Sequence, residues 1–279
     1  MAADDLSADA SDPTSFPSRI GRGGEERAGV GLRNLKLTVE YDGTDFTGYQ
    51  SQGKGERTVQ SVLQEAVEKI VNHPVVLQGA GRTDTGVHAL GQVVSFKTTG
   101  RVPTERVAIA VNTVLPPDLA VASAEEVPLD FHARFSATSR TYGYLVWTRR
   151  TRSAVWGRYS LHVKRPVDID QMRSAALLLK GNHDFAAYAK TGGSPGPSTV
   201  RDLQRLSIRP LSEGRILFVV TANGFLRSMV RNIVGVLLEV GVGDLPPGAV
   251  QEILDTRDRI ANPVAPSAPH GLCLLKVDY

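Results

Sequence analysis

The sequence predicts an α+β fold: two ferredoxin-like halves of β-α-β-β-α-β order around a shared, mainly antiparallel sheet, with the active-site cleft between them. Three observations predict it. Segments that alternate apolar and polar residues, as strands do, take turns with segments carrying a helical apolar stripe, and the rhythm runs twice along the chain. Hydrophobic residues make up 41% and charged residues 22% of the 279 positions, the balance of a globular protein with a real core. Glycine and proline clusters punctuate the places where one segment gives way to the next. The expected division is a disordered tail over 1–33, one half over 34–150 with an aspartate-bearing loop, and a second half over 151–279.

Residues 35–41 alternate like a strand. Thr58 is a suitable N-cap for a helix to Asn72, with Val59, Leu63, Ala66, Val67 and Ile70 on its buried stripe, and Pro74 follows its end. A short strand over 75–78 leads to the glycine-rich loop 79–91 and a strand over 92–97. Thr104 opens a helix to about Val114, which Pro116 and Pro117 stop. Strands over 119–126 and 141–148 follow. The second half begins with a helix over 168–180 and a Gly/Pro/Ser-rich, mobile loop over 191–198. Strands over 200–208 and 216–222 come next, then a helix from Phe225 to about Val240 capped by Asn223 or Gly224. A short helix over 248–256 and a strand over 271–277 close the chain.

Composition excludes several classes. No apolar run approaches the ~20 residues of a membrane span, and the N-terminus lacks the pattern of a secretory signal. The single cysteine, Cys273, flanked by Leu272 and Leu274, reads as core filler and rules out an internal disulfide or a cysteine-rich metal site. A reducing cytoplasm is the natural setting. No phosphate-binding GxxxxGK[ST] loop, HExxH or CxxC occurs, and His88, His132, His183 and His270 lack ligand-like spacing, so no metal is expected; His183 and Asp184 read as a polar structural pair. Net charge is +3, with +5 lying beyond residue 33. From Arg134 to Arg165 there is no acid. Arg134, Arg140, Arg149, Arg150, Arg152, Arg158, Lys164 and Arg165 are interleaved there with Tyr142, Tyr144, Trp147, Trp156 and Tyr159. Cations that meet phosphates beside rings that stack on bases suggest nucleic acid; a solvated basic face backed by buried aromatics is the plain alternative.

Gly79, Gly81, Gly86 and Gly91 surround Arg82 and Asp84. Such a loop permits close approach of a ligand, and a carboxylate kept ionised by a cation suits nucleophilic work. A structural turn in which Arg82 and Asp84 merely pair with each other is the plainer reading of these residues taken alone. Arg227 and Arg231 stand four apart in the expected late helix, near its positive end, where cations cost stability unless an anion is close.

The run Gly81-Arg82-Thr83-Asp84-Thr85-Gly86-Val87-His88-Ala89 resembles the catalytic motif of the tRNA pseudouridine synthase A family. The resemblance extends from Leu35 to Tyr279. It includes Glu40-Tyr41-Asp42-Gly43 with Gly48-Tyr49-Gln50, the run from Asp130 through Ala137 with Arg140-Thr141-Tyr142-Gly143-Tyr144, Met229-Val230-Arg231-Asn232-Ile233-Val234-Gly235, and Gly271-Leu272. Five motifs in order outweigh the structural-turn alternative. The resemblance implies isomerisation of uridine to pseudouridine at tRNA positions 38, 39 and 40 in the anticodon stem-loop, with no cofactor, by a homodimer. It makes Asp84 the nucleophile, Tyr142 the ring that stacks on the target base and handles the C5 proton, Arg231 the ion-pair partner of Asp84, and Arg82 the residue of base flipping. Arg201 matches a family arginine, and with Arg227, Arg140, Arg149 and Arg150 it is expected to bind RNA. Tyr49 stands where the family usually has tryptophan, and Gly143 where a bulkier residue is common. Two other classes stay in view: a catalytically silent RNA-binding protein, and a hydrolase with a carboxylate nucleophile, for which no second acid lies in the Asp84 motif.

Overall fold

The computed structural model describes residues 31–50, 55–190 and 198–279. Apart from their last few positions, the expected tail and the expected mobile loop lie outside the described residues. The strands are β1 (Arg33–Tyr41), β2 (Gln78–Gly79), β3 (His88–Thr98), β4 (Leu119–Val127), β5 (Ser139–Trp147), β6 (Leu161–His162), β7 (Gly181–Asp184), β8 (Val200–Leu211), β9 (Arg215–Ala222) and β10 (Leu272–Asp278). The helices are α1 (Val59–Val71), α2 (Thr104–Asn112), α3 (Ile169–Leu178), α4 (Met229–Gly241) and α5 (Ala249–Thr256).

All ten strands form one sheet. Its main path is β4-β1-β3-β10-β5-β9-β8-β7, with β2 beside β3 and β6 beside β5. Pairing is antiparallel except for β6 on β5 and β10 on β3. The fold is therefore α+β on a large, mainly antiparallel sheet, as the element rhythm predicts. The β3–β10 contact is a short parallel seam, Cys273 opposite His88 and Leu274 opposite Ala89. It joins β4, β1 and β3 to β10, β5, β9, β8 and β7, so that β5 of the expected first half lies among the strands of the second. The larger of two apolar clusters runs across both groups of strands, from Leu37, Leu63 and Phe96 to Val220, Ile233 and Leu237, and the smaller holds Ala80, Val93 and Ala133. Period-2 alternation places Leu35, Leu37, Val39 and Tyr41 of β1 in the larger cluster, while Lys36 faces the other way and pairs with Glu125.

Local chemistry sets the helix ends. Thr58 and Ser61 form a reciprocal cap on α1, and Asn72 closes it in the left-handed region that asparagine tolerates. Asp168 caps α3 through two backbone N–H groups. The late helix departs from expectation. It starts at Met229, not Phe225, because Ser228 has φ 59, and a left-handed residue cannot continue a right-handed helix. Arg227 therefore precedes the helix and shares no face with Arg231. Strands β6 and β7 escaped the sequence reading; each is under five residues and owes its conformation to its neighbour in the sheet. Among the described residues, no helix is long and apolar enough to cross a membrane.

Candidate active site

Asp84 lies in the segment between β2 and β3, so its loop opens beside the parallel seam. The segment is pinned from below. The Thr83 hydroxyl shares a 2.9 Å hydrogen bond with Tyr41, and the Thr83 carbonyl accepts the Tyr49 N–H at 3.1 Å. Thr83 is buried while Arg82 is exposed and Asp84 lies between the two extremes. The Val87 N–H closes a turn on the Asp84 carbonyl at 3.1 Å, and Gly86 takes the positive φ (78°) that this turn needs. Gly43 packs directly under the Val87 carbonyl, where any Cβ would collide with backbone. Two glycines thus set the height and the turn of the Asp84 loop.

The chain leaving β9 turns back over β5 through Phe225–Ser228 and brings the start of α4 against this loop. Arg231 donates from Nη1 to Asp84 Oδ2 at 2.9 Å and from Nε to the Ser267 carbonyl at 2.6 Å. The Ser228 hydroxyl donates to the same Oδ2 at 2.8 Å. Among the described residues, Oδ1 receives no donor. The two side chains of the ion pair are 17% and 26% exposed, so water screens them less than a surface pair, and breaking the pair costs more than the ~0–1 kcal/mol of an exposed one. Asp84 thus pairs with Arg231, 147 residues away, and not with Arg82.

Tyr142 comes from β5, opposite Leu274 of β10 and Val220 of β9. Its ring meets Phe225 edge-on, with centroids 5.2 Å apart and planes at 89°. Burial pushes its hydroxyl well above the usual tyrosine range, so it stays protonated at neutral pH. Aspartate, serine, arginine and two aromatic rings therefore converge from both halves of the chain. Ser228 and Phe225 are the members that sequence reasoning missed: both fall where a helix was expected, and a serine in the left-handed region gives no local signal.

The other expected residues are spread more widely. Arg82, Arg150 and Arg227 are exposed, with no side-chain partner among the described residues. Arg149 sits 5.2 Å from the Trp147 ring and 4.0 Å from Glu213. Arg140 is half-buried and donates to the carbonyls of Ala80, Arg134, Ala137 and Asn223, which makes it a strut beside the start of the segment that carries Asp84. Arg201 donates to the Ser198 and Val200 carbonyls and lies against Gly224; burial, and then Arg140, lower its pKa. The acid-free run also finds acids from elsewhere, since Arg158 reaches Asp42 and Arg165 reaches Asp244. His183 and Asp184 do not pair with each other; they bond the Lys180 carbonyl and the Ala186 N–H.

Beneath the loop, Asp42 faces His88 Nδ1 at 3.1 Å and accepts the Tyr159 hydroxyl at 2.9 Å. Burial acts to raise the Asp42 pKa, but hydrogen bonds from Thr44 and Tyr159 and the nearby His88 outweigh it and hold the carboxyl at about 2. Burial pushes the Cys273 thiol up to about 12, so it stays a protonated, half-buried filler. Tyr49, the departure from the family pattern, is buried, its hydroxyl has no partner among the described residues, and it packs on Gly79, where a side chain would strike it. A cavity of about 260 Å³ is lined by Trp147, Arg152, His162 and His270 and does not include Asp84. Among the described residues, no three histidine, cysteine or acidic side chains cluster as a metal site.

Comparison with known proteins bears on this arrangement. The tRNA pseudouridine synthase A of Thermoanaerobacter sp. (strain X514) is 44% identical over 249 residues, covering 89% of this chain and all of that protein. The protein of the same name from Chlorobium luteolum is 42% identical, covering 89% of this chain and 96% of its own length. One solved structure, an archaeal box H/ACA sRNP Nop10-Cbf5 complex, aligns over 84% of this chain and 61% of that chain with a TM-score of 0.34 and 12% identity, too remote to carry weight. The sequence profile of the tRNA pseudouridine synthase family matches residues 37–136 and 175–279, taking in both the Asp84 loop and the Ser228–Arg231 turn, and the chain belongs to that family.

Proposed function

We propose that this protein isomerises uridine to pseudouridine at positions 38, 39 and 40 of the tRNA anticodon stem-loop, with Asp84 as nucleophile. The observation that supports the reading most is the asymmetry of the Asp84 carboxylate: Arg231 and Ser228 both bond Oδ2, while Oδ1 has no donor among the described residues. In this reading Oδ1 attacks ribose C1′ as the N1–C1′ bond breaks and uracil leaves with the electron pair. The base turns in the groove, C5 bonds to C1′ as the carboxylate departs, and the C5 proton is lost while N1 gains one. Atoms balance without a redox step, so the chemistry calls for no cofactor.

The target base must first leave its stack, which costs a few kcal/mol and least in a loop. Insertion of Arg82 and stacking on Tyr142, with Phe225 bracing that ring, offset the cost, since stacking contributes ~1–3 kcal/mol per base. Tyr142, held protonated by burial, acts as a ring face and a hydrogen-bond donor, not as a phenolate base. Arg150, Arg227, Arg149 and Arg201 meet RNA phosphates; Arg140, whose donors are spent on carbonyls, shapes the groove. The enzyme works as a homodimer in the cytoplasm.

The test compares wild type with Asp84→Asn and Asp84→Ala on an unmodified tRNA transcript, mapping pseudouridine by nucleotide. Both variants are expected to fall to background while still binding tRNA. Near-normal turnover by either removes Asp84 from the chemistry, and modification outside the anticodon arm overturns the stated target.

A further inference from the structure

Phe135 is 75% exposed, yet it sits on an unusually well-tied turn. The Ser136 N–H donates to the His132 carbonyl and the His132 N–H to the Ser136 hydroxyl, while His132 Nδ1 accepts the Arg134 N–H. Ala133, wholly buried, donates its N–H to the Ser95 hydroxyl and accepts the Tyr279 hydroxyl. One nitrogen of Arg140 bonds both the Arg134 carbonyl, at 2.7 Å, and the Ala80 carbonyl, at 3.1 Å. The turn therefore lies beside the start of the segment that carries Asp84. A large apolar ring on a rigid turn gains nothing for the fold by facing water, because the backbone bonds hold the turn whatever side chain stands at 135.

The surroundings point to the kind of ligand. The His132 ring lies 4.5 Å from the Phe135 ring at 40°, and the Arg134 guanidinium lies 5.4 Å from it. Arg134 has no acidic partner among the described residues, and the nearby half-buried Arg140 bonds only carbonyls. A rigid ring with an unpaired cation beside it offers a face for a base and a charge for the phosphate next to it. We propose that Phe135 and Arg134 dock an unpaired nucleobase and its adjoining phosphate in the substrate RNA, next to the uridine that enters the Asp84 groove. The proposal rests on the RNA-acting reading above and adds a contact outside the reaction itself.

The test measures tRNA-transcript binding across a series of salt concentrations, in the Asp84→Ala background so that turnover does not intervene. Phe135→Ala is expected to weaken binding about tenfold at every salt concentration. Phe135→Trp should restore it, and melting temperatures should stay the same. Arg134→Gln should instead lower the slope of log affinity against log salt by about one. With Asp84 present, the Phe135→Ala loss should fall on KM and leave kcat in place. Wild-type binding by Phe135→Ala, alongside normal pseudouridine formation by the parent, overturns this inference alone. Loss of binding only because the variant changes from dimer to monomer in sedimentation assigns the ring to a second copy of the chain and also overturns it. A parent that forms no pseudouridine but whose binding depends on Phe135 defeats the catalytic reading and leaves the docking point standing.

Discussion

Ser228 combines a strained backbone with a bond to Asp84. Its φ of 59 costs a non-glycine residue about 1 kcal/mol or more, and its hydroxyl is turned away from capping α4 toward Asp84. Two substitutions separate these effects. Ser228→Ala keeps the strained backbone and loses the bond, so turnover should drop about tenfold and the melting temperature should fall slightly, given that a hydrogen bond to a charged group contributes ~1.5–3 kcal/mol. Ser228→Gly loses the same bond but removes the strain, so turnover should drop as far while the melting temperature lies above that of Ser228→Ala. Single-turnover kinetics and thermal melts on the two proteins read both signs, and equal stability of the two variants would remove the strain from this account. Arg231→Lys should slow turnover further still. A single ammonium cannot span Asp84 Oδ2 and the Ser267 carbonyl as the guanidinium does.

At the scale of elements, the loop between β2 and β3 depends on what lies under it. Asp42 follows β1, His88 opens β3, and Arg158 and Tyr159 come from the turn before β6; Asp42 touches all three. Its carboxyl is held at about 2, below the ordinary 3.8. A depressed acid stabilises the fold fully above the unfolded value and stops doing so as pH falls through the folded one. Wild type should therefore outmelt Asp42→Asn at pH 6, and the gap should close between about pH 4 and pH 2; a constant gap would show that Asp42 holds the loop by shape alone. None of this network was legible in the sequence, because its members are up to 117 residues apart and each looks ordinary alone. The elements themselves were largely legible. Helix α1 announces itself through Thr58 and a clean stripe, and β1 through alternation. The start of α4 was not, since Phe225, Leu226 and Met229 continue a helical apolar spacing and nothing at Ser228 marks the break. The β3–β10 seam was equally hidden: two residue pairs 185 positions apart leave no periodic trace. Asp84, Tyr142 and Arg231 were found as candidates by the order of motifs, while physical reasoning alone left the loop open between a turn and a site.

For the molecule as a whole, the question is how a net charge of only +3 meets a polyanion. The fold answers by pairing some arginines of the basic run and leaving others free. Arg165 is forked onto Asp244 and the Val242 carbonyl, and Arg158 onto Asp42, so these cations are already matched within the protein. Arg150 has no such partner among the described residues. Each phosphate neutralised by a free cation releases counterions, so log affinity falls with log salt by ~0.7–0.9 per contact. Arg150→Gln should therefore flatten the salt dependence of tRNA binding by about one contact and leave the melting temperature alone. Arg165→Gln should do the reverse, keeping the slope and lowering the melting temperature a little as Asp244 loses its partner. Filter binding at five salt concentrations, with thermal melts of the same preparations, distinguishes the two. If both variants flatten the slope equally, the internal ion pairs open on RNA binding, and pairing within the free protein is no guide to which arginines reach phosphate.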